Sequence, residues 1–272
     1  MDIVAKDLQH DVDEIIASLR HISLGFVYEE LNSTNDKAQD IEARYQHSGM
    51  AVLAKRQTKG RGRMSRTWLM TEGDIALSLI LRPPCLPSNL NLLPLLVGVS
   101  CVEALAKLGV KAFLKWPNDI IIAGDENKSV AGYLGHYRKV GGILIENIYQ
   151  QGRVSASIVG IGLNIMPHKT CLDAYAHAAY LRQCSPHLSW HACLKTFLTQ
   201  LDAWLDTLNK PDFDVRIMQT YTALCKTLGY TVKVDRTPPI IGVARAINAQ
   251  GALVVNDGMN DHLITAGDVI RL

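Results

Sequence analysis

Apolar residues along this chain follow two spacings, one helical and one extended. Apolar positions that recur every three or four residues predict helices, and they are found at residues 7–20, 91–108 and 189–208. Short apolar runs predict strands, and they lie at 26–31, 50–54, 75–81, 112–116, 120–122, 141–146 and 155–163. Helices and strands in this order predict an α/β (α+β) domain with a mixed β-sheet and flanking helices.

The pattern changes after about residue 222. Short β-like runs lie at 231–234, 240–247, 252–255 and 268–272, separated by turn residues. Runs of this length predict a small all-β module. We therefore expect two domains, a larger one over residues 1–222 and a small β-barrel over residues 223–272.

Composition and charge exclude several classes of protein. The 272 residues include 28 Lys and Arg against 26 Asp and Glu, a net charge of +2, which argues against a sequence-independent nucleic-acid binder with a broad cationic face. No uninterrupted apolar run reaches the roughly 20 residues of a membrane span, and the N-terminus lacks the apolar core of a signal peptide. Six cysteines form no Cys-x-x-Cys pair. We expect a cytoplasmic protein with reduced thiols.

The cations are concentrated at residues 59–68, called the basic loop below. This segment contains Arg61, Arg63 and Arg66, two glycines and Trp68. Arginine matches carboxylate and phosphate oxygens, glycine allows close backbone approach, and an indole offers a flat face to a ring. The loop therefore favours a small anionic ligand with a planar part, although a basic surface loop or a nucleic-acid patch would have the same composition.

Four further segments accompany the basic loop in a fixed order. They are Ser-Thr-Asn at 33–35, Lys-Trp-Pro-Asn-Asp at 115–119, Lys-Val-Gly-Gly-Ile-Leu-Ile-Glu at 139–146 and Gly-Ile-Gly-Leu-Asn at 160–164. With the Gly-Arg-Gly-Arg-x-x-Arg-x-Trp of the basic loop, they closely resemble the biotin protein ligases (biotin–[acetyl-CoA-carboxylase] ligases) over roughly residues 25–272. Each segment alone is unspecific, and the resemblance depends on all five in order.

The resemblance implies an enzyme that joins biotin to a protein in two steps. Biotin and ATP give biotinyl-5′-AMP, with Mg²⁺ present, and a lysine of the biotin carboxyl carrier protein of acetyl-CoA carboxylase then takes the biotin. It also implies a catalytic domain similar to class II aminoacyl-tRNA synthetases and a C-terminal SH3-like barrel. About 30 residues precede the first segment, too few for a DNA-reading module, so we expect the monofunctional form without DNA or membrane binding. Homodimer formation stays open.

The resemblance also assigns roles to residues. Those expected to bind biotin are Ser33, Thr34, Asn35, Gln57, Gly60, Arg61, Gly62, Arg63, Lys139 and Gly142. Those expected to bind ATP or the adenylate are Arg63, Arg66, Trp68, Lys115, Asn118, Asp119 and Asn164. Lys139, Arg61 and Asp119 are the expected catalytic residues, and Asp119 is also the expected Mg²⁺ ligand.

Simpler interpretations compete with several of these roles. Ser33 and Thr34 also fit a plain helix cap, and Gly160 and Gly162 also fit close strand packing. The stretch between Asp119 and Lys139 is about a dozen residues longer than is usual in the family, and it contains a second lysine motif that begins at Lys128. We expect Lys139 to be the active-site lysine, with Lys128 as the alternative. We expect the extra loop, with Tyr133, His136, Tyr137 and Arg138, to be a surface excursion, and contact with the carrier protein or the active site is the alternative.

Two other functions remain open from the sequence. A lipoate–protein ligase would share the scaffold and the adenylation chemistry, but the basic loop is characteristic of the biotin group. A non-enzymatic nucleic-acid-binding module would also account for the basic loop and the terminal barrel.

Overall fold

The computed structural model describes residues 4–83, 85–87, 89–128, 130, 133–167 and 175–272. The α-helices in this part of the chain, numbered in order, are α1 (Lys6–Ile16), α2 (Thr34–Tyr45), α3 (Leu93–Lys107), α4 (Trp190–Leu205) and α5 (Phe213–Leu224). The first seven strands are β1 (Leu24–Leu31), β2 (Met50–Gln57), β3 (Ile75–Leu81), β4 (Ala112–Lys115), β5 (Asp119–Ala123), β6 (Tyr137–Gln150) and β7 (Arg153–Leu163). The last five are β8 (Thr231–Val234), β9 (Ile240–Ile247), β10 (Leu253–Asn256), β11 (Asp261–Ile264) and β12 (Val269–Arg271).

Strands β1 to β7 form one mixed sheet in the order β1-β2-β3-β7-β6-β5-β4. β1 and β2 pair in parallel, and every other neighbouring pair in this sheet is antiparallel. A sheet with helices against it is the predicted class, so the fold prediction is confirmed.

Helix α3 forms the centre of the core beside this sheet. It contacts both α4 and α5 as well as strands β4 to β6, and most of its side chains are buried, including Leu96, Val99 and Cys101. The segment Leu90–Lys107 is long and apolar enough to span a membrane by composition alone. Its burial against other helices gives it the role of a core helix instead.

The first predicted helix ends earlier than its pattern indicates. The apolar period runs to residue 20, but α1 ends at Ile16. The backbone N–H groups of Arg20 and His21 instead donate to the carboxylate of Asp202 in α4 at 2.8–3.2 Å. These bonds to Asp202 hold the chain in a direction different from that of a continued helix. Leu19 still packs on the core.

Two elements were not predicted. Helix α5 buries only Phe213, Ile217 and Tyr221, so its apolar stripe is narrow. Strand β11 buries only Ile264, which leaves no alternation to detect over four residues.

Strands β8 to β12 form a second, antiparallel sheet in the order β11-β10-β9-β8-β12. It buries Val232, Val234 and Leu253 among others. Trp116 Nε1, in the turn between β4 and β5, donates to the carbonyl of Gly251 at 3.0 Å, which joins the second sheet to the first. A small C-terminal β-domain is consistent with this sheet, while the boundary at residue 223 and the SH3-like barrel remain predictions.

Candidate active site

A cavity of 220 Å³ lies between the mixed sheet and the basic loop. Every site residue predicted from the sequence lines it except Gly60. These residues come from the start of α2, the end of β2, the basic loop, the β4–β5 turn, the first half of β6 and the end of β7. The loop before β12 adds Asp268, so the second sheet also contributes to the wall.

One end of the cavity is lined by Thr34, Asn35 and Gln57. Together with Ser78, which hydrogen-bonds to Thr34 and Asn35, these residues are called the neutral end below. Gln57 Oε1 accepts from the backbone N–H of Thr34 at 2.8 Å and from its hydroxyl at 3.2 Å. Ser78 Oγ lies 2.8 Å from Thr34 Oγ1 and 2.5 Å from Asn35 Oδ1. These uncharged groups hold each other in place, and they offer both donors and acceptors to a ligand.

The start of α2 explains why these groups face the cavity. Ser33 caps the helix, and its side chain accepts from the N–H of Asp36 at 3.5 Å. The capping prediction is therefore confirmed, but Ser33 and the next two residues are also buried against the cavity. Because the start of α2 points at the cavity, its residues both cap the helix and line the cavity.

Glycines make room for the cavity walls. A Cβ on Gly160 would lie 2.3 Å from Asn35 Oδ1, and one on Gly162 would lie 2.4 Å from Trp68 Cε2. A Cβ on Gly60 would lie 2.4 Å from the carbonyl oxygen of Trp68. Gly160 and Gly162 therefore serve close contacts with cavity side chains, and Gly60 closes the base of the basic loop without lining the cavity.

Arg61 reaches from the basic loop to the neutral end. Its guanidinium donates to both carboxylate oxygens of Glu146 at 2.9 Å and to Asp36 at 2.7 Å. Glu146 also accepts from the amide of Asn35 at 2.7 Å. Burial lowers the pKa of Arg61, but the bonds and charges of Glu146 and Asp36 outweigh it and raise the pKa overall. Arg61 is thus firmly charged and fixed beside Asn35.

Arg63 has a different environment. Its guanidinium donates to Asn118 Oδ1 at 3.1 Å, and within the described ranges no carboxylate lies at ion-pair distance from it. Burial lowers its pKa. Arg66, by contrast, donates to Asp268 at 2.6 Å and to the carbonyl of Arg63 at 3.2 Å. Arg66 thus holds the basic loop against the second sheet, whereas Arg63 is a cation in the cavity without a paired anion.

The other end, formed by Asp119, Lys115, Lys139 and Tyr133 and called the charged end below, centres on a buried carboxylate. Asp119 Oδ1 lies 2.5 Å from Lys139 Nζ, and Oδ2 lies 3.6 Å from Lys115 Nζ. Tyr133 donates its O–H to Oδ2 at 3.0 Å. The backbone explains the grouping, because Lys115 and Asp119 are directly paired across the β4–β5 turn and β6 brings Lys139 alongside β5.

Burial and charge act in opposite directions on these groups. Burial would raise the pKa of Asp119, but the charges of Lys139 and Lys115 and the two hydrogen bonds lower it well below its usual range. Burial lowers the pKa of Lys115. Burial raises the pKa of Tyr133 well above its usual value, and the Asp119 charge adds to this effect. Tyr133 is therefore a neutral donor to a fixed carboxylate.

The two candidate lysines are clearly separated. Lys139 Nζ lies in the cavity, 5.6 Å from the centre of the Trp68 ring. The Lys128 side chain is 76% exposed and pairs only loosely with Asp125 at 3.6 Å. The geometry favours Lys139, as expected.

The prediction that the extra loop is a surface excursion is wrong for part of it. Tyr133 is 6% exposed, Leu134 0% and Tyr137 8%. These side chains pack with Ile121 in a small apolar cluster, and Tyr133 also lines the cavity. Aromatic residues in the loop carry enough apolar area to be drawn into the core. Part of the second lysine motif, residues 129, 131 and 132, lies outside the described residues.

Trp68 forms one wall of the cavity. Its ring lies directly over Gly162, and its Nε1 is buried without an acceptor among the described residues. Asn164, at the end of β7, donates its amide to the carbonyl of Ala179 at 3.0 Å. An unpartnered indole N–H is costly when buried, so this wall is suited to a ligand that supplies an acceptor.

Comparisons with known proteins identify the family of this chain. The model of the Biotin/lipoate A/B protein ligase family matches residues 27–164, just over half of the chain. This chain belongs to that family.

Individual relatives differ in how much of their length is matched. A Bifunctional ligase/repressor BirA of Bacillus spizizenii is 37% identical over 142 residues, which cover 51% of this chain but only 40% of that protein. A Biotin–[acetyl-CoA-carboxylase] ligase of Mycobacterium tuberculosis is 28% identical over 233 residues, 82% of this chain and 79% of that protein. The biotin protein ligase from Aquifex aeolicus, solved in complex with biotin and ATP, has a TM-score of 0.75 at 25% identity and covers 92% of this chain and 100% of its own.

The charged end of this family member does not fit a magnesium ion at Asp119. Both carboxylate oxygens already have ammonium or hydroxyl partners, and Mg²⁺ requires near-octahedral oxygen ligands. Nor does the described part of the chain contain any group of three or more His, Cys, Asp or Glu side chains that could hold a metal. A metal at Asp119 would need both lysines to withdraw, so we assign no step to it.

Several cavity residues of this ligase-family chain were missed from the sequence. Tyr175, His177 and Asp268 line the cavity but lie in none of the five segments. Ser78, which hydrogen-bonds to the lining residues Thr34 and Asn35, also lies outside the five segments. Tyr175 donates its O–H to the carbonyl of Thr67 at 3.2 Å, which ties the basic loop down from the opposite side. Of these, only Ser78 had a usable signal, because it is the one polar residue in an otherwise apolar strand.

Proposed function

We propose that this protein is an ATP-dependent biotin protein ligase that forms biotinyl-5′-AMP and transfers biotin to a lysine of a biotin carboxyl carrier protein. Family membership and the names of its relatives support this proposal. The observation that carries it is Arg63, a partly buried cation without a carboxylate partner, in the same cavity as Lys139 and the neutral end. A buried cation of this kind is stabilised by a bound anion.

In the first step, a biotin carboxylate oxygen attacks the α-phosphorus of ATP, and the bond from that phosphorus to pyrophosphate breaks. Two anions must meet, so fixed cations reduce their repulsion. Lys139 would hold the carboxylate and the developing charge, while Arg63 and Lys115 would hold the phosphates. Asn118 orients Arg63 through its hydrogen bond. Trp68 and Asn164 would border the adenine.

In the second step, the neutral amine of the carrier lysine attacks the acyl carbonyl and AMP leaves. The amine loses a proton to solvent as the amide forms. Asp119 is the anion at the charged end, so it would accept a hydrogen bond from the incoming amine and orient it. The basic loop, held by Arg66 and Tyr175, would keep water from the mixed anhydride.

The neutral end favours biotin over lipoate. Thr34, Asn35, Gln57 and Ser78 present hydroxyl and amide groups, and the ureido group of biotin has both N–H donors and a carbonyl acceptor. The dithiolane ring of lipoate has no N–H group and would not use the remaining donor and acceptor capacity of these groups. We therefore place the biotin ring at the neutral end, beside Arg61.

The decisive experiment is incubation of the protein with ATP, Mg²⁺, biotin and a carrier domain, followed by intact-mass measurement of the carrier. We expect the mass to rise by one biotinyl group, and a parallel reaction with lipoate to leave it unchanged. A mass gain with lipoate alone would favour a lipoate–protein ligase. Binding of oligonucleotides without pyrophosphate release would favour a nucleic-acid module. The cytoplasmic location and the absence of DNA binding remain predictions.

A further inference from the structure

We propose that Tyr133 is a positioning residue for adenylate formation, because its hydroxyl fixes the Asp119 carboxylate that in turn orients Lys139. The inference rests on the proposed ligase function and deepens it. Tyr133 lies in the extra loop between Asp119 and Lys139, outside all five segments that carry the family resemblance.

The two carboxylate oxygens of Asp119 have different partners. Oδ1 of Asp119 meets Lys139 Nζ at 2.5 Å. Oδ2 receives the Tyr133 hydroxyl at 3.0 Å, while Lys115 Nζ stands farther away at 3.6 Å. Two ammonium groups thus compete for one carboxylate, and the phenol occupies the oxygen that faces Lys115. Lys139 therefore keeps the shorter of the two ammonium contacts with the Asp119 carboxylate.

Tyr133 is itself held on several sides. Its ring stacks on His177 with centroids 4.4 Å apart and an interplanar angle of 16°. Lys115 Nζ lies 4.9 Å from its ring centre, and its backbone carbonyl accepts from the N–H of Arg271 in β12 at 2.9 Å. The phenol is therefore fixed by the second sheet and by the segment after β7, and its O–H has one well-defined direction.

Loss of the Tyr133 hydroxyl alone should change which lysine the Asp119 carboxylate contacts most closely. Without the phenol, the nearest remaining partner of Oδ2 is Lys115, and rotation of the carboxylate towards Lys115 would lengthen the contact to Lys139. Lys139 would then sample orientations away from the reacting centre, which slows the chemical step. The biotin ring would be unaffected, because the described side-chain contacts of Tyr133 are with Asp119, His177 and Lys115 and not with the neutral end.

The variant Tyr133→Phe tests this, since it keeps the ring, the stack and the cation contact. We expect the single-turnover rate of biotinyl-AMP formation to fall about tenfold, the effect of losing one hydrogen bond to a charged group. The biotin dissociation constant, measured by calorimetry, should stay within about twofold. Tyr137→Phe is the matched control, because Tyr137 is buried in the same loop but does not line the cavity. It should react at the parent rate.

A second variant separates positioning from simple structural support. If Tyr133 acts through Asp119, then Tyr133→Phe should have no further effect on the rate in an Asp119→Asn background. Independent, multiplicative effects would overturn the proposal. So would a Tyr133→Phe protein with the parent rate, or one that loses thermal stability and biotin affinity together. A parent protein that forms no biotinyl-AMP would instead overturn the proposed function itself.

Discussion

The two ends of the cavity differ in the chemical groups that form them. The neutral end is built from hydroxyl and amide groups that are already paired with each other, such as Thr34 with Gln57 and Ser78 with Asn35. The charged end is built around Asp119, with two lysines competing for it and Arg63 unpaired by any carboxylate in the described ranges.

Under the proposed function, this difference would separate recognition from reaction. Neutral paired groups are rigid and discriminate by hydrogen-bond matching. Unbalanced cations stabilise charge that develops as two anions react. Substitutions at the neutral end should therefore change affinity, and those at the charged end should change rate.

The largest effect is expected from Lys139→Ala. Removal of the ammonium that lies on Asp119 should slow biotinyl-AMP formation roughly 10²–10³-fold, as for loss of one preorganised charge. Biotin affinity should change much less. Pyrophosphate release in a single turnover measures the rate. Lys128→Ala is the control, since that side chain is exposed, and a defect in this variant with a normal Lys139→Ala protein would reverse the assignment.

Arg63→Ala should have the next largest effect. It removes the cation that has no carboxylate partner, so ATP affinity and retention of the adenylate should fall roughly 10- to 100-fold. Filter binding of radiolabelled biotinyl-AMP measures the dissociation rate. Arg56→Ala is the control, because Arg56 is exposed on β2 and pairs with Glu30. Equal retention in both variants would contradict the role of Arg63.

Ser78→Ala tests the neutral end. The loss of one buried hydroxyl should weaken biotin binding about fivefold, while the rate at saturating biotin stays near that of the parent. Ser100→Ala is the control, because Ser100 is equally buried but bonds within α3 to the Leu96 carbonyl. If Ser78→Ala slowed the chemical step instead, the two ends would not be functionally separate.

The smallest effect concerns pH. Burial lowers the pKa of His177 to about 4, and the charge of Lys139 adds to this effect. Because the unfolded state has the higher pKa, it binds the proton first, and stability should fall as the pH decreases from about 6.5 towards 4. His177 is only partly buried, so between pH 7.5 and pH 5 the melting temperature of the parent should fall about 2–4 °C more than that of His177→Phe. Equal pH dependence in both proteins would show that His177 does not contribute.

Local patterns predicted most of the fold correctly. The strand at 75–81 has the predicted bounds because every residue in it is buried and apolar except Ser78. Ser33 is recognisable because a helix cap depends on neighbours only three residues away. Helix α5 and strand β11 were missed because too few of their residues are buried to give a period.

The site was predicted as far as its residues lie in short segments. Arg61, Asp119 and Lys139 were found in this way, and the structure brings them to one cavity. Asp268 was not predicted as a cavity residue, and contact of Tyr133 with the active site was only the alternative to a surface position. Their positions depend on the path of the extra loop and on the packing of the second sheet against the first. Neither of these features has a local sequence signal.

The sequence by itself determined most of the strands and helices, and it determined that most candidate site residues lie in five short segments. Those properties depend on neighbours within a few residues, where spacing and turn chemistry act. Only the tertiary structure decided the pairing of charges: Arg61 with Glu146, Arg66 with Asp268, and Lys139 with Asp119. Coulomb interactions depend on distance in space, and the folded chain brings these partners together from segments that are up to about 200 residues apart.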